Sequence, residues 1–282
     1  MTFSAPRLIV RTREIPAVED LLPFTSPHDP LVWMRRGEGM SGLGVTYELV
    51  ADAGADATWL SERWTEIAAA AEVDDDVRLP GTGLLAFGAL TFDRGSSHRS
   101  VLTVPGVVVG RRGGTSWVTT IHDATDVRAS VPHETPYGPH WAGAVGPGEQ
   151  TAAGYMDSVR AGLRAIGEGA VGKVVLARDL RGTVPAGSDL RRLARALSQD
   201  YPDTWTFAVD GLIGASPETL VTVRGGTVTA RVLAGTTSRG ADADADVAAS
   251  AALATSAKDL DEHEFAVQSV LASLRPHTRA LV

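Results

Sequence analysis

The sequence predicts an α+β protein, with mostly antiparallel sheets flanked by helices. Three observations predict it. Short runs rich in Val, Ile, Leu and Thr recur between Gly and Pro punctuation as far as about residue 121. Gly225-Gly226 separates two strand-like runs by two residues, the spacing of a tight hairpin. Hairpins are then followed by helices and do not alternate with them, which argues against a doubly wound parallel sheet.

In chain order, strands are expected at Arg7–Arg13, Val45–Val50, Gly83–Phe92, Val101–Val109 and Ser116–Ile121. One helix is expected at Thr58–Glu72, where Trp59, Trp64, Ile67 and Ala71 recur at helical spacing. Val131–Gly148 is rich in Pro, His and Gly and reads as a loop. Tyr155–Ile166 reads as a helix with Met156, Val159, Leu163 and Ile166 on one side. Lys173–Leu180 follows as a strand, then a helix capped by Ser188 and running through Leu197. Trp205–Val209, Leu212–Ala215, Thr219–Arg224 and Thr227–Val232 form a meander. After the loop Ala234–Gly240, two helices occupy Asp242–Ala254 and Ser256–Leu274. No short internal repeat is present, and a single domain over 1-282 is expected, with a β-rich part (1-130) and a motif-bearing part (150-282).

Composition narrows the function classes. The chain has 282 residues, 44% hydrophobic and 21% charged, as ordinary globular proteins have. A net charge of −8 argues against nucleic acid as a partner, which needs a basic face. The absence of cysteine excludes disulfides, thiolate metal sites and cysteine nucleophiles. Residues 1–10 lack the apolar run of a signal peptide, and no stretch reaches membrane-spanning length, so a cytoplasmic protein without membrane contact is expected.

Two motifs are set aside. Gly37-Glu38-Gly39-Met40-Ser41-Gly42 matches a dinucleotide-binding pattern that should open a helix after a hydrophobic strand, yet Arg35-Arg36 precede it and the strand-like Val45–Val50 follows it; a glycine-rich turn is expected. Asp242, Asp244 and Asp246 imitate an EF-hand loop whose sixth and twelfth positions here are Val247 and Leu253; an acidic helix start fits better. The seven histidines have no paired metal-ligand spacing.

Four segments carry candidate chemistry. Only two of the 26 basic residues are lysines, Lys173 and Lys258. In Gly172-Lys173-Val174-Val175-Leu176-Ala177-Arg178, strand alternation puts Lys173 beside Val175 and Ala177, a partly desolvated setting for a general base. In Gly214-Ala215-Ser216-Pro217-Glu218-Thr219-Leu220, Pro217 interrupts a ladder and aims Glu218, which burial would keep protonated as a general acid. Val232-Leu233-Ala234-Gly235-Thr236-Thr237 joins a backbone-permissive glycine to a hydroxyl, a plausible carboxylate nest. On the last helix Lys258, Asp259 and Glu262 share a side, and Glu262 is a candidate ligand for a hard cation. Each has a plain alternative: a strand-end lysine, an exposed turn glutamate, a simple turn, a surface ion pair.

In order and spacing the four segments resemble the chorismate-utilising enzymes, most clearly from about Tyr155 to Leu274, with Ala86-Phe87-Gly88-Ala89-Leu90-Thr91-Phe92-Asp93 as a further family-like element. The resemblance implies that family's fold, chorismate as substrate and Mg2+ as cofactor. Lys173, where anthranilate synthases typically carry glutamine, and Ala234, where aminodeoxychorismate synthases typically carry a nucleophilic lysine, look like the isochorismate synthase branch. By resemblance, Lys173 activates water for attack at ring C2, Glu218 protonates the departing C4 hydroxyl, Glu262 binds Mg2+, and Gly235 and Thr236 contact substrate. Menaquinone or siderophore synthesis is the implied setting. Salicylate synthase, which adds pyruvate elimination, and a non-catalytic binding module or fragment are the alternatives. Family members usually continue beyond this point, with a second metal-ligating Glu and a substrate-binding Arg and Tyr. The chain is therefore expected to be incomplete at its C-terminus and, alone, to have little or no activity. Oligomeric state is not legible; a monomer is the default expectation.

Overall fold

The computed structural model describes residues 3–52, 57–93, 95–126, 132–232 and 234–278. In chain order the strands are β1 (Leu8–Ile15), β2 (Leu31–Arg35), β3 (Glu38–Leu43), β4 (Tyr47–Ala51), β5 (Glu72–Asp75), β6 (Phe87–Ala89), β7 (Ser100–Val104), β8 (Val107–Arg112) and β9 (Thr115–Asp123). They continue as β10 (Ala144–Pro147), β11 (Leu180–Thr183), β12 (Trp205–Val209), β13 (Leu212–Ser216), β14 (Thr222–Arg224) and β15 (Thr227–Thr229). The helices are α1 (Ala57–Ala70), α2 (Ala152–Gly167), α3 (Arg191–Asp200), α4 (Ala243–Thr255) and α5 (Ala257–Leu274). The expected α+β class with antiparallel sheets and flanking helices is the class observed. Val131 and Leu233, which belong to two of the predicted segments, lie outside the described residues.

The chain divides into two compact units, Met1–Gly143 with Val184–Pro217, and Ala144–Thr183 with Glu218–Val282. The first is built on an eight-stranded sheet in the order β13-β12-β2-β3-β8-β9-β1-β5. Every pairing in it is antiparallel except β1 with β5. A three-stranded sheet, β4-β7-β6, accompanies it. The period of two in β1 buries Leu8 and Val10, which join Leu49, Val104, Ile121 and the α1 residues Leu60 and Ile67 in one apolar cluster. Val32, Met34 and Ala208 on β2 and β12 form another with Ala194 of α3.

A buried charge cluster closes the first unit. The Arg191 side chain is fully buried and the Asp189 side chain nearly so; Arg191 Nη2 lies 2.8 Å from Asp189 Oδ2 and Nε 2.9 Å from Oδ1. Arg191 also donates to the carbonyls of Thr135 and Pro136 at 2.9 Å, while Asp189 accepts the Gly138 N–H at 2.8 Å. Burial pushes the Asp189 carboxyl up, but hydrogen bonds from Arg191 and Gly138 outweigh it and hold the group below its ordinary range. Asp189 also accepts the Arg191 backbone N–H. This corrects the expected cap: α3 begins at Arg191, and Ser188 bonds back to Pro185.

Several other expectations change. The glycine-rich motif is a tight Arg36-Gly37 turn, with φ of 53° and 73°, followed by strand β3, so β2 and β3 form a hairpin the pattern did not signal. The run Val101–Val109 is two strands, β7 and β8, separated at Pro105-Gly106, where proline cannot continue the ladder. The predicted strand Gly83–Phe92 shrinks to β6, and the predicted loop 131–148 includes β10.

The second unit has two small sheets, β10-β11 and β14-β15, and helices α2, α4 and α5. Gly225 and Gly226, both at positive φ, form the expected hairpin turn, with Arg224 opposite Thr227. Thr151 caps α2, Asp242 caps α4 and Ser256 caps α5, each through its side-chain oxygen. None of the described residues of this unit is fully buried: the expected apolar side of α2 leaves Met156 54% and Leu163 64% exposed.

Candidate active site

All five candidate residues, Lys173, Glu218, Gly235, Thr236 and Glu262, lie in the second unit. The lysine segment is fixed at three points. A Cβ on Gly172 would sit 3.5 Å from the Phe265 ring of α5. A Cβ on Gly162 of α2 would sit 3.0 Å from Val174, close enough that the valine would have to give, and 3.9 Å from Leu176, an ordinary contact, so both apolar side chains lie against that helix. Asp179 accepts the Glu149 N–H at 3.0 Å, and this bond, foremost, holds its carboxyl below the ordinary range.

Residues 173–179 nevertheless form no strand. A strand is defined by a ladder, and none of the described residues pairs with this segment; regular pairing begins at Leu180. The alternation itself holds. Val174 and Leu176 face α2, while Val175 is 82% exposed. Lys173, on the Val175 side, is half-buried and makes no ion pair with any described residue.

The glutamate is placed differently from expectation. β13 ends at Ser216, Pro217 breaks the ladder as predicted, and pairing resumes only at Thr222. Glu218 is exposed and not buried, and residues 217–221 lie outside every strand.

The glycine loop and the last helix meet. Gly235 has φ of +85°, and a Cβ there would approach Asp259 Cβ to 3.0 Å, so a side chain would be both strained and crowded. Thr236 is exposed. On α5, Lys258 Nζ lies 3.1 Å from Glu262 Oε1 and 3.7 Å from Asp259 Oδ1. The hydrogen bond to Glu262, then the charges of Glu262 and Asp259, raise the lysine's affinity for its proton.

Asp259, Glu262 and Phe265 are spaced i, i+3, i+6, each one turn from the next along α5. The Gly235 loop abuts the first and Gly172 abuts the third. Glu262 therefore sits between the loop that carries Thr236 and the segment that carries Lys173. Sequence reading missed the supports of this arrangement: Gly162, Asp179 and Phe265. Only the glycine within the apolar side of α2 was a usable signal, since an interior helical glycine costs stability unless packing needs it.

A metal fits in one sense only. Among the described residues no group of three or more His, Asp or Glu side chains could hold an ion. Glu262, with Asp259 one turn away and a lysine ammonium already against it, suits a cation that takes one or two carboxylates and completes its shell with substrate and water oxygens, as Mg2+ does. A cavity of about 320 Å3 in the first unit, lined by Trp33, Met40, Leu85, Phe87 and Val209 among others, offers no such donors and contains none of the candidate residues.

Fold and constellation together set a lysine segment, a glycine loop and a carboxylate-bearing helix on one α+β scaffold. The pattern of the chorismate binding enzyme family matches residues 4–282, and the chain belongs to that family. Isochorismate synthase DhbC of Bacillus subtilis is 38% identical over 138 residues, 45% of this chain and 35% of that protein. The MenF protein of Mycobacterium tuberculosis is 33% identical over 207 residues, 70% of this chain and 51% of that protein. The chain thus spans about a third to a half of these curated relatives. The solved structure of MenF, the menaquinone-specific isochorismate synthase of Escherichia coli, superposes with a TM-score of 0.68 at 19% identity, covering 96% of this chain and 64% of that one. This last likeness is one of fold.

Proposed function

We propose that the protein bearing this sequence is an isochorismate synthase: it adds water to chorismate at ring C2 and expels the C4 hydroxyl. The observation that carries the reading is the convergence on α5, where the Gly235 loop and the Lys173 segment flank Glu262. In the proposed reaction the Lys173 amine takes a proton from the water that attacks C2. The Glu218 carboxyl gives a proton to the C4 hydroxyl, which leaves as water, so one water enters and one departs. The Gly235 backbone and Thr236 hydroxyl orient a substrate carboxylate, at a position where a side chain on residue 235 would be strained and crowded. Glu262 would hold Mg2+, with Asp259 beside it; when bound, the metal supplies positive charge against a substrate carboxylate.

Identity at the two branch-marking positions supports water over ammonia as the incoming nucleophile: Lys173 stands where glutamine, and Ala234 where lysine, would point elsewhere. Relatives named as isochorismate synthases support the same reading. Chromatography of products from chorismate and Mg2+ tests it. Isochorismate without pyruvate is expected; pyruvate with salicylate would replace this reading with a salicylate synthase.

A further inference from the structure

The proposed metal ligand already has a cation against it. Ser256 caps α5, so Lys258 occupies the second helical position, in the first turn. Two electrostatic rules make that a poor place for a lysine. The positive end of the helix dipole disfavours cations in the first turn. A lysine four residues before a glutamate is also the weaker order of an i, i+4 pair. Arginine fills every basic position other than 173 and 258. Helix stability therefore does not account for a lysine here. A compact ammonium on a flexible stem can occupy the place of a small inorganic cation and withdraw from it, which a forked guanidinium does less readily. The geometry permits withdrawal: the Lys258 side chain is 75% exposed, against 35% for Glu262 and 19% for Asp259.

We propose that Lys258 is a placeholder cation, whose ammonium neutralises Glu262 and Asp259 until a divalent ion displaces it into solvent, so that competition with this lysine sets the affinity for Mg2+. The proposal rests on the reading of Glu262 as the Mg2+ ligand. The exchange needs no covalent chemistry; one cation leaves the carboxylate oxygens as another arrives.

The test is a calorimetric titration of Mg2+ alone into the full chain, at fixed pH and ionic strength. Lys258→Met should bind Mg2+ about three- to tenfold more tightly than wild type, since it removes a competitor and a repelling charge. Lys258→Gln should do the same, and circular dichroism should find helicity unchanged in both. Arg275→Met, which removes the same charge about 25 Å along the chain from Lys258, should leave the affinity unchanged. Equal affinity in wild type and both Lys258 variants would overturn the placeholder role, as would an equal gain in Arg275→Met; either result leaves Glu262 as a ligand. Mg2+ binding undiminished in Glu262→Gln, or absent from every form, would overturn the metal reading and the placeholder with it.

Discussion

Replacing Arg191 by Met tests the energetics of the first unit. The substitution keeps an apolar stem of similar length and removes a guanidinium that makes two bonds to Asp189 and one each to the carbonyls of Thr135 and Pro136. Asp189 would keep the N–H groups of Gly138 and residue 191 but would be left as a buried charge without a counter-ion. Breaking a buried pair in this way costs about 3–5 kcal/mol. For a unit of this size that is roughly 10 °C of melting temperature. All six tryptophans lie in the first unit, so their fluorescence follows its unfolding selectively. Adding Asp189→Asn should recover part of the loss, because the stranded charge is then gone. The wild-type contribution also has a defined pH window. Because the folded Asp189 carboxyl is held below its ordinary range, its stabilisation is complete above the unfolded value, near about 3.9, and is lost as pH falls through the depressed one. In Arg191→Met the stranded carboxylate is instead held above its ordinary range, so the gap should narrow as pH falls, first as the variant's Asp189 takes up a proton and then as the wild-type group does. A single-variant loss under about 1 kcal/mol, or a gap independent of pH, would refute this reasoning.

Three further outcomes are expected. Lys173→Ala and Glu218→Gln in the native protein should each lower turnover by about 10²- to 10⁴-fold with the circular dichroism spectrum intact, the range of a lost general acid or base; a near wild-type rate in either removes that residue's role. Gly235→Ala should raise the KM for chorismate more than it lowers kcat, since the left-handed backbone and the approach to Asp259 cost about 1–2 kcal/mol and displace the loop that binds substrate; unchanged kinetics would mean that the loop does not touch substrate. In hydrogen exchange on this 282-residue chain, amides of β1, β8 and β9 should be the slowest and those of α2, α4 and α5 the fastest, because no described residue of the second unit is fully buried; comparable protection in both units would contradict that.

Much of the fold could be read from local signals. Gly225-Gly226 specified its hairpin, and Asp242 and Ser256 specified the starts of α4 and α5, because turn and cap chemistry acts over a few residues. Strand β3 escaped because Gly39, Ser41 and Gly42 weaken its intrinsic strand preference, and its pairing with β2 and β8 supplies what the local sequence lacks. β5, with the sequence Glu-Val-Asp-Asp, escaped for the same reason: its pairing with β1 is a tertiary fact. The Asp189–Arg191 cluster was hidden because its other partners lie some 50 residues away along the chain. At the candidate site, residue types and order were legible. The contacts that bring Gly172 to Phe265 and Gly235 to Asp259 were not, since they depend on how α5 docks. The expected burial of Glu218 also did not follow from its sequence. Proline predicts where a ladder stops, and it does not predict what covers the residues beyond.

The most direct measurement is the fate of chorismate in the native protein bearing this sequence, with Mg2+ and isotopically labelled water. The account predicts isochorismate whose C2 oxygen comes from solvent, no pyruvate, and loss of that product in Lys173→Ala. Product retaining only substrate oxygens, or undiminished turnover without the Lys173 amine, would contradict it.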